Sequence, residues 1–331
     1  MQTPRTIRLE VSSNCQLRCP SCPMTTGHGD AAVGHGHLRL EDFKRLIDDN
    51  PRVREIEISN YGEVLLNPEF LPILQYAHEK RVSLRADNGV NLNFARPEAL
   101  EGLVRYRLRS LTCSIDGATQ ATYEHYRVGG VLQKVLDNLA AINEFKNRYR
   151  SVYPRMAWQF VAFGHNEHEI EEARNMARQL GMEFRLKLNW DPTYDPVQRR
   201  DLVRSIAGSA DREEYSREKG VPYMASLCLQ LWRQPQINWD GKVLGCARNF
   251  WGDFGGNAFR DGLNTVLNSE RLQYARQMLL GRVPPRSDIP CTSCDVYLSA
   301  RGKKNPVISR FGRTKAAISS ALFSLRERLQ G

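Results

Sequence analysis

The chain has 331 residues, eight cysteines, and 47 Lys plus Arg against 37 Asp plus Glu, a formal net charge of +10. With 41% hydrophobic and 25% charged residues it carries enough apolar material for a sizeable core, which excludes a disordered chain. No run nears the roughly 18 apolar residues of a membrane-crossing helix. The opening MQTPRTIRLEV has no apolar signal core, so a cytoplasmic location is expected. Without export, eight cysteines point to metal or redox chemistry rather than to a disulfide framework.

From residue 6 to about 190, β-rich runs alternate with amphipathic stretches. Strands are predicted over 6–11, 55–59, 82–87, 110–115, 156–161 and 183–189, with helices over 39–48, 72–80, 131–146 and 167–180. That alternation implies an α/β fold with a parallel sheet and right-handed crossovers. The span is short for an eight-unit barrel, and a partial six-unit TIM-like barrel fits it. Residues 191–220 are polar and strand-poor, a linker or irregular helical connection. Further on, 234–239 and 242–245 flank Asp240-Gly241 as a β-hairpin, and 265–280 reads as a helix ended by Gly281. The expected division is a core at 1–200, a linker at 201–220, a small hairpin-plus-helix domain at 221–300 and a basic tail at 301–331.

Right after the first strand, Cys15, Cys19 and Cys22 can turn three thiolates toward one point. Soft thiolates suit iron–sulfur clusters or zinc. With no fourth cysteine nearby, a cluster there leaves one iron open; the rival is a zinc knuckle closed by His28, His35 or His37. The C-x3-C-x2-C spacing after strand one of a parallel α/β barrel resembles the radical S-adenosylmethionine superfamily over about residues 5–190. The resemblance implies a 4Fe–4S cluster on these cysteines, S-adenosylmethionine on its open iron, and a 5′-deoxyadenosyl radical that takes hydrogen from substrate. It also implies cofactor contacts. Gly62 and Glu63 match the glycine–glutamate motif for the methionine amino group, with Tyr61 where a glycine is common. Asn88 follows strand three in an Asp-Asn-Gly turn. Ser114 and Asp116 share a strand-four face with Thr112, expected to point inward. Ser21 replaces the usual aromatic residue near adenine, so something else must hold that ring. Cys113 has the opposite parity and is expected to pack as a small hydrophobe, with a redox role as the alternative.

The remaining cysteines are Cys228, Cys246, Cys291 and Cys294. Two pairs of thiolates can close a structural zinc site or a fully ligated 4Fe–4S cluster. C-x12-G-x4-C followed by C-x2-C is similar to the SPASM/twitch auxiliary domain of many radical enzymes. It lacks the three later cysteines of the long form, which implies one auxiliary cluster suited to electron transfer.

The basic residues form no nucleic-acid-binding signature. The tail, with an apolar stripe of Ile318, Leu322, Leu325 and Leu329, could meet a membrane surface, though docking on the barrel is favoured. On strand six, Arg185 and Lys187 are expected to face the barrel interior, to orient an anionic substrate or take a proton; an ion pair with Glu10 or another barrel carboxylate is the alternative. The expected function is two-electron oxidation of a small molecule such as a cyclitol or sugar, as in twitch-bearing aminocyclitol dehydrogenases, with flavodoxin or ferredoxin as electron donor. Peptide modification, epimerisation and a non-enzymatic zinc or nucleic-acid-binding role are the alternatives. The absence of a peptide-recognition domain ahead of residue 6 counts against the first of these.

Overall fold

Hydrophobic residues at alternate positions build the sheet, because side chains of a strand point to opposite faces in turn. Ile7 and Leu9 are fully buried in β1 (Thr6–Leu9), and the pattern repeats through β2 (Glu55–Glu57), β3 (Ser83–Val90), β4 (Ser110–Ser114), β5 (Arg155–Ala162) and β6 (Glu183–Leu188). The computed structural model describes residues 2–301. The expected tail and its apolar stripe beyond Arg301 lie outside the described residues. The six strands pair in parallel in the order β6-β5-β4-β3-β2-β1. This is the expected partial barrel.

Helices α1 (Leu40–Asp49), α2 (Phe70–Glu79), α3 (Pro97–Arg105), α4 (Gln120–Tyr126), α5 (Leu132–Tyr149) and α6 (Ile170–Gln179) follow the strands. In α1 the residues at helical spacing, Phe43, Leu46 and Ile47, are buried, while Glu41 and Asp42 sit in the first turn, where the helix dipole favours acid. Helix α3 fills the expected place after β3, and the short α4 ahead of α5 is an addition to the sequence reading. Proline at the first position starts α3, and Thr119 caps α4 by accepting from the Thr122 amide. Cys113 is fully buried in the apolar core, as its parity requires.

The stretch expected as a linker or irregular helical connection holds two short helices. Helices α7 (Arg200–Ala207) and α8 (Arg212–Lys219) end at Gly208 and Gly220, both left-handed. Arg200 and Arg204 reach the Glu214 carboxylate from α7 at 2.8 Å each. After α9 (Gln230–Arg233), β7 (Gln236–Ile237) and β8 (Val243–Gly245) form the expected hairpin. The hairpin does not stand apart. β7 pairs in parallel with β1, Arg8 opposite Gln236 and Leu9 opposite Ile237, so the barrel sheet continues into it. That covers a β1 edge whose amides and carbonyls would otherwise be open. The predicted helix over 265–280 is two helices, α10 (Leu263–Leu267) and α11 (Glu270–Leu279), because the Ser269 hydroxyl caps the second by accepting from the Leu272 amide. Helix α12 (Asp295–Ala300), the last among the described residues, has Cys294 at its N-cap. Among the described residues no helix is long and apolar enough to cross a membrane.

Candidate functional site

Loops at the C-terminal ends of the parallel strands enclose a cavity of about 420 Å³ lined by Cys15, Cys19 and Cys22. The loop after β2 presses onto the cysteine loop. The Glu63 amide donates to the Asn14 carbonyl at 2.8 Å. A Cβ at Gly62 would fall on the Ser12 carbonyl oxygen and 2.5 Å from the Ser13 carbonyl carbon, so only glycine fits. Buried Glu10 secures this approach by accepting from the amides of Tyr61 (3.1 and 3.2 Å) and Gly62 (3.4 Å). It therefore partners neither Arg185 nor Lys187 by hydrogen bond. Burial pushes its carboxyl up to about 8 against those amides.

Of the expected cofactor contacts, Gly62, Glu63, Asn88 and Ser114 line the cavity. Glu63 is fully buried and accepts from the amides of Asn91 (2.6 Å) and Leu65 (3.2 Å); burial raises its carboxyl to about 7. Asp116 is not on the cavity wall. One oxygen accepts from the Val161 amide at 2.7 Å, and the other holds the Arg127 guanidinium at 2.6 Å. Arg185 also falls away from the cavity, paired with Glu183 at 2.6 Å and donating to Thr112 at 3.3 Å. Lys187 does line it, and burial lowers its ammonium to about 8.

Two cysteine neighbours have no signal in the sequence. Arg127, at the C-cap of α4, donates to the Cys19 sulfur at 3.6 Å, and Asn91 donates to the Cys15 sulfur at 3.5 Å. Donors on ligand sulfurs stabilise negative charge on a cluster. The buried Tyr126 hydroxyl and Gln159 Oε1 face the same cavity with no partner, the condition of a wall built to receive a polar ligand.

The second cysteine set surrounds a small apolar pocket beside Leu231, Phe254 and Tyr297. Burial raises all four thiols above their ordinary range, Cys246 to about 11. Such thiols ionise when they bind a metal. Tetrahedral zinc, with bonds of about 2.3 Å, needs sulfurs about 3.8 Å apart. Among the described residues only a His/His/Asp group brings three donor atoms within 4.8 Å of one another. His28, His35 and His37 make hydrogen bonds with Thr26, Asp30 and Asn14 instead of closing a zinc knuckle.

The Tyr61 hydroxyl crosses between the two sites, 2.8 Å from the Asn249 carbonyl oxygen and 3.1 Å from that of Ala247, just past Cys246. Asn60 adds a bond to the same Ala247 carbonyl at 3.1 Å. Tyr61 thus ties the cysteine loop's neighbour to the segment that carries Cys246.

Comparison with known proteins agrees. The sequence model of the radical SAM superfamily matches residues 9–179, more than half of the chain. The chain belongs to the radical SAM superfamily. Residues 228–295 match the SPASM iron–sulfur cluster-binding domain. This radical SAM enzyme therefore has a 4Fe–4S cluster in each region and uses S-adenosylmethionine. It is 27% identical over 180 residues to the AdoMet-dependent heme synthase of Methanosarcina barkeri (strain Fusaro / DSM 804), covering 54% of this chain and spanning only about half (48%) of that relative. SuiB of Streptococcus suis, solved with S-adenosylmethionine, superposes with a TM-score of 0.65 at 14% identity over 93% of this chain and 76% of its own. Native anSMEcpe, with AdoMet and the Cp18Cys peptide, gives 0.61 at 14% over 93% of both chains. BtrN, with AdoMet and 2-DOIA, gives 0.50 at 17% over 89% and 94%. At these identities the solved structures establish the shared fold.

Proposed function

We propose that this radical SAM enzyme oxidises a small hydroxylated molecule by two electrons. In this reading Cys15, Cys19 and Cys22 hold the cluster that binds S-adenosylmethionine, and Cys228, Cys246, Cys291 and Cys294 hold the auxiliary cluster. The observation that carries it is the cavity's composition. Its walls combine the cysteine loop, the strand ends and residues Ala247, Arg248 and Phe250 beside the auxiliary site, with Lys187 facing it. Its volume lies in the range of small-molecule sites.

Glu63 and Asn88 are placed to meet the methionine end of the cofactor, with Ser114 and Gln159 along the inner wall. Trp190 and Tyr126 line the cavity and offer adenine the aromatic surface that Ser21 lacks. When bound, the cofactors supply a hydrogen-abstracting 5′-deoxyadenosyl radical and a one-electron acceptor. Lys187 then takes the hydroxyl proton as one electron leaves for the acceptor. A C–H and an O–H become C=O, with a hydrogen atom, a proton and an electron removed. An ammonium lowered to about 8 is close to the working pH, as a general base needs. Reduced flavodoxin or ferredoxin would serve as the electron source. A peptide substrate is the second reading, supported by the same fold in the complexes of SuiB with its precursor peptide SuiA and of anSMEcpe with the Cp18Cys peptide.

Anaerobic turnover of carbon-deuterated polyols and cyclitols tests the proposal. Deuterium in 5′-deoxyadenosine together with a carbonyl product supports it. A product of unchanged oxidation state, or turnover of peptides alone, overturns it.

A further inference from the structure

The wall of the large cavity carries more positive charge than its own residues balance. Its cations are Arg127, Lys187, Arg212 and Arg248, and among the described residues its one acid is Glu63, which already accepts from backbone amides. Two of the cations are answered from behind. Asp116 holds Arg127, and Asp295 meets Arg248 through two bonds, at 2.8 and 2.7 Å. Arg212 and Lys187 pair with no carboxylate among the described residues. Asp211 and Glu214, beside Arg212 at the start of α8, are taken by α7: Arg200 meets Asp211 at 2.6 Å, and Arg200 and Arg204 meet Glu214 at 2.8 Å each.

Arg212 is nevertheless fixed in place. Its Nε donates to the Leu188 carbonyl at the end of β6 at 3.2 Å, and its guanidinium lies 4.8 Å over the Tyr223 ring, which Tyr215 backs edge-on at 5.0 Å. Those contacts use Nε and one face, and leave the terminal nitrogens, whose N–H groups can meet two oxygens of one anion side by side. Burial lowers the guanidinium to about 10, as expected where a charge lacks its counterion, and Arg212 in turn lowers the Lys187 ammonium. We propose that Arg212 binds an oxyanion group of the substrate, a carboxylate or a phosphate monoester, and so presents a hydroxyl-bearing carbon of the same molecule to Lys187. This rests on the oxidation proposed above and narrows its substrates to hydroxylated acids or phosphate esters. An anion at this point relieves the cost of a partly desolvated, unpaired cation, which a neutral polyol leaves in place.

The test is equilibrium dialysis on anaerobically reconstituted holoenzyme with S-adenosylmethionine and no reductant, so that turnover does not enter the result. The probes are radiolabelled gluconate and glucitol 6-phosphate, with neutral glucitol as the control. At least one charged probe is expected to bind at least about tenfold tighter than glucitol, the scale of a charge-assisted hydrogen bond. Arg212→Gln should remove that advantage and Arg212→Lys should keep part of it, with iron content and S-adenosylmethionine affinity unchanged in both. Glucitol bound as tightly as both charged probes, an undiminished advantage in Arg212→Gln, or a loss of S-adenosylmethionine affinity that places the guanidinium on the cofactor overturns the proposal. The oxidation reading fails separately, by a product of unchanged oxidation state with this binding intact.

Discussion

Lys187 shows how a single side chain carries both a chemical asset and a stability penalty. Its ammonium is lowered to about 8, first by burial and then by Arg185 and Arg212. The unfolded chain keeps a lysine near 10.4, so between pH 8 and 10.4 the unfolded state binds more protons and folding stability rises with pH. Below about 8 the full penalty, about 3 kcal/mol, is present. Lys187→Met should therefore raise the denaturation midpoint at pH 7, lower turnover sharply and remove from the residual rate the kcat limb that climbs through about pH 8. A variant with lower stability and an unchanged pH profile would show that Lys187 is no base. At this scale the sequence is informative where spacing alone suggests a ligand set, as with the seven cysteines and Gly62-Glu63, which the proposed function assigns to the clusters and the cofactor. It says nothing of Arg127 or Asn91, which reach Cys19 and Cys15 only because the fold brings α4 and the end of β3 to the cysteine loop. Parity put Asp116 on the inner face, yet a guanidinium and the Val161 amide take its oxygens.

The strands are the most legible elements, because alternation of apolar residues survives in each of them. Boundaries move where a cap decides them, as Ser269 does between α10 and α11. Pairing of β7 with β1 is invisible to periodicity, since 228 residues separate Arg8 from its partner Gln236. The consequence is mechanical. Tyr61 and Asn60, on the loop after β2, bond to the Ala247–Asn249 loop, so the two metal centres share one scaffold. Tyr61→Phe removes only the hydroxyl. It leaves the Asn249 carbonyl short of a donor, while Asn60 still bonds that of Ala247, and about 1 kcal/mol should be lost in denaturant titration. The same variant should hold its auxiliary iron less tightly against chelator, with the first cluster spared. Equal chelator sensitivity in both proteins would refute the link.

For the whole molecule, the even number of cysteines is a coincidence of three beside the large cavity, four around the small apolar pocket and a single core residue, Cys113. The fold needs both regions to complete one cavity, and for that reason the chemistry was readable from motifs while the substrate was not. Loops from distant segments shape the wall that selects it, and such loops carry no portable signature. The direct measurement is the iron and sulfide content of the anaerobically reconstituted protein, paired with its cleavage of S-adenosylmethionine. About eight irons per chain are expected, falling to about four with cleavage abolished when Cys15, Cys19 and Cys22 are all replaced by Ala. About four irons in the unaltered protein, or undiminished cleavage in the triple variant, would contradict the two-cluster account.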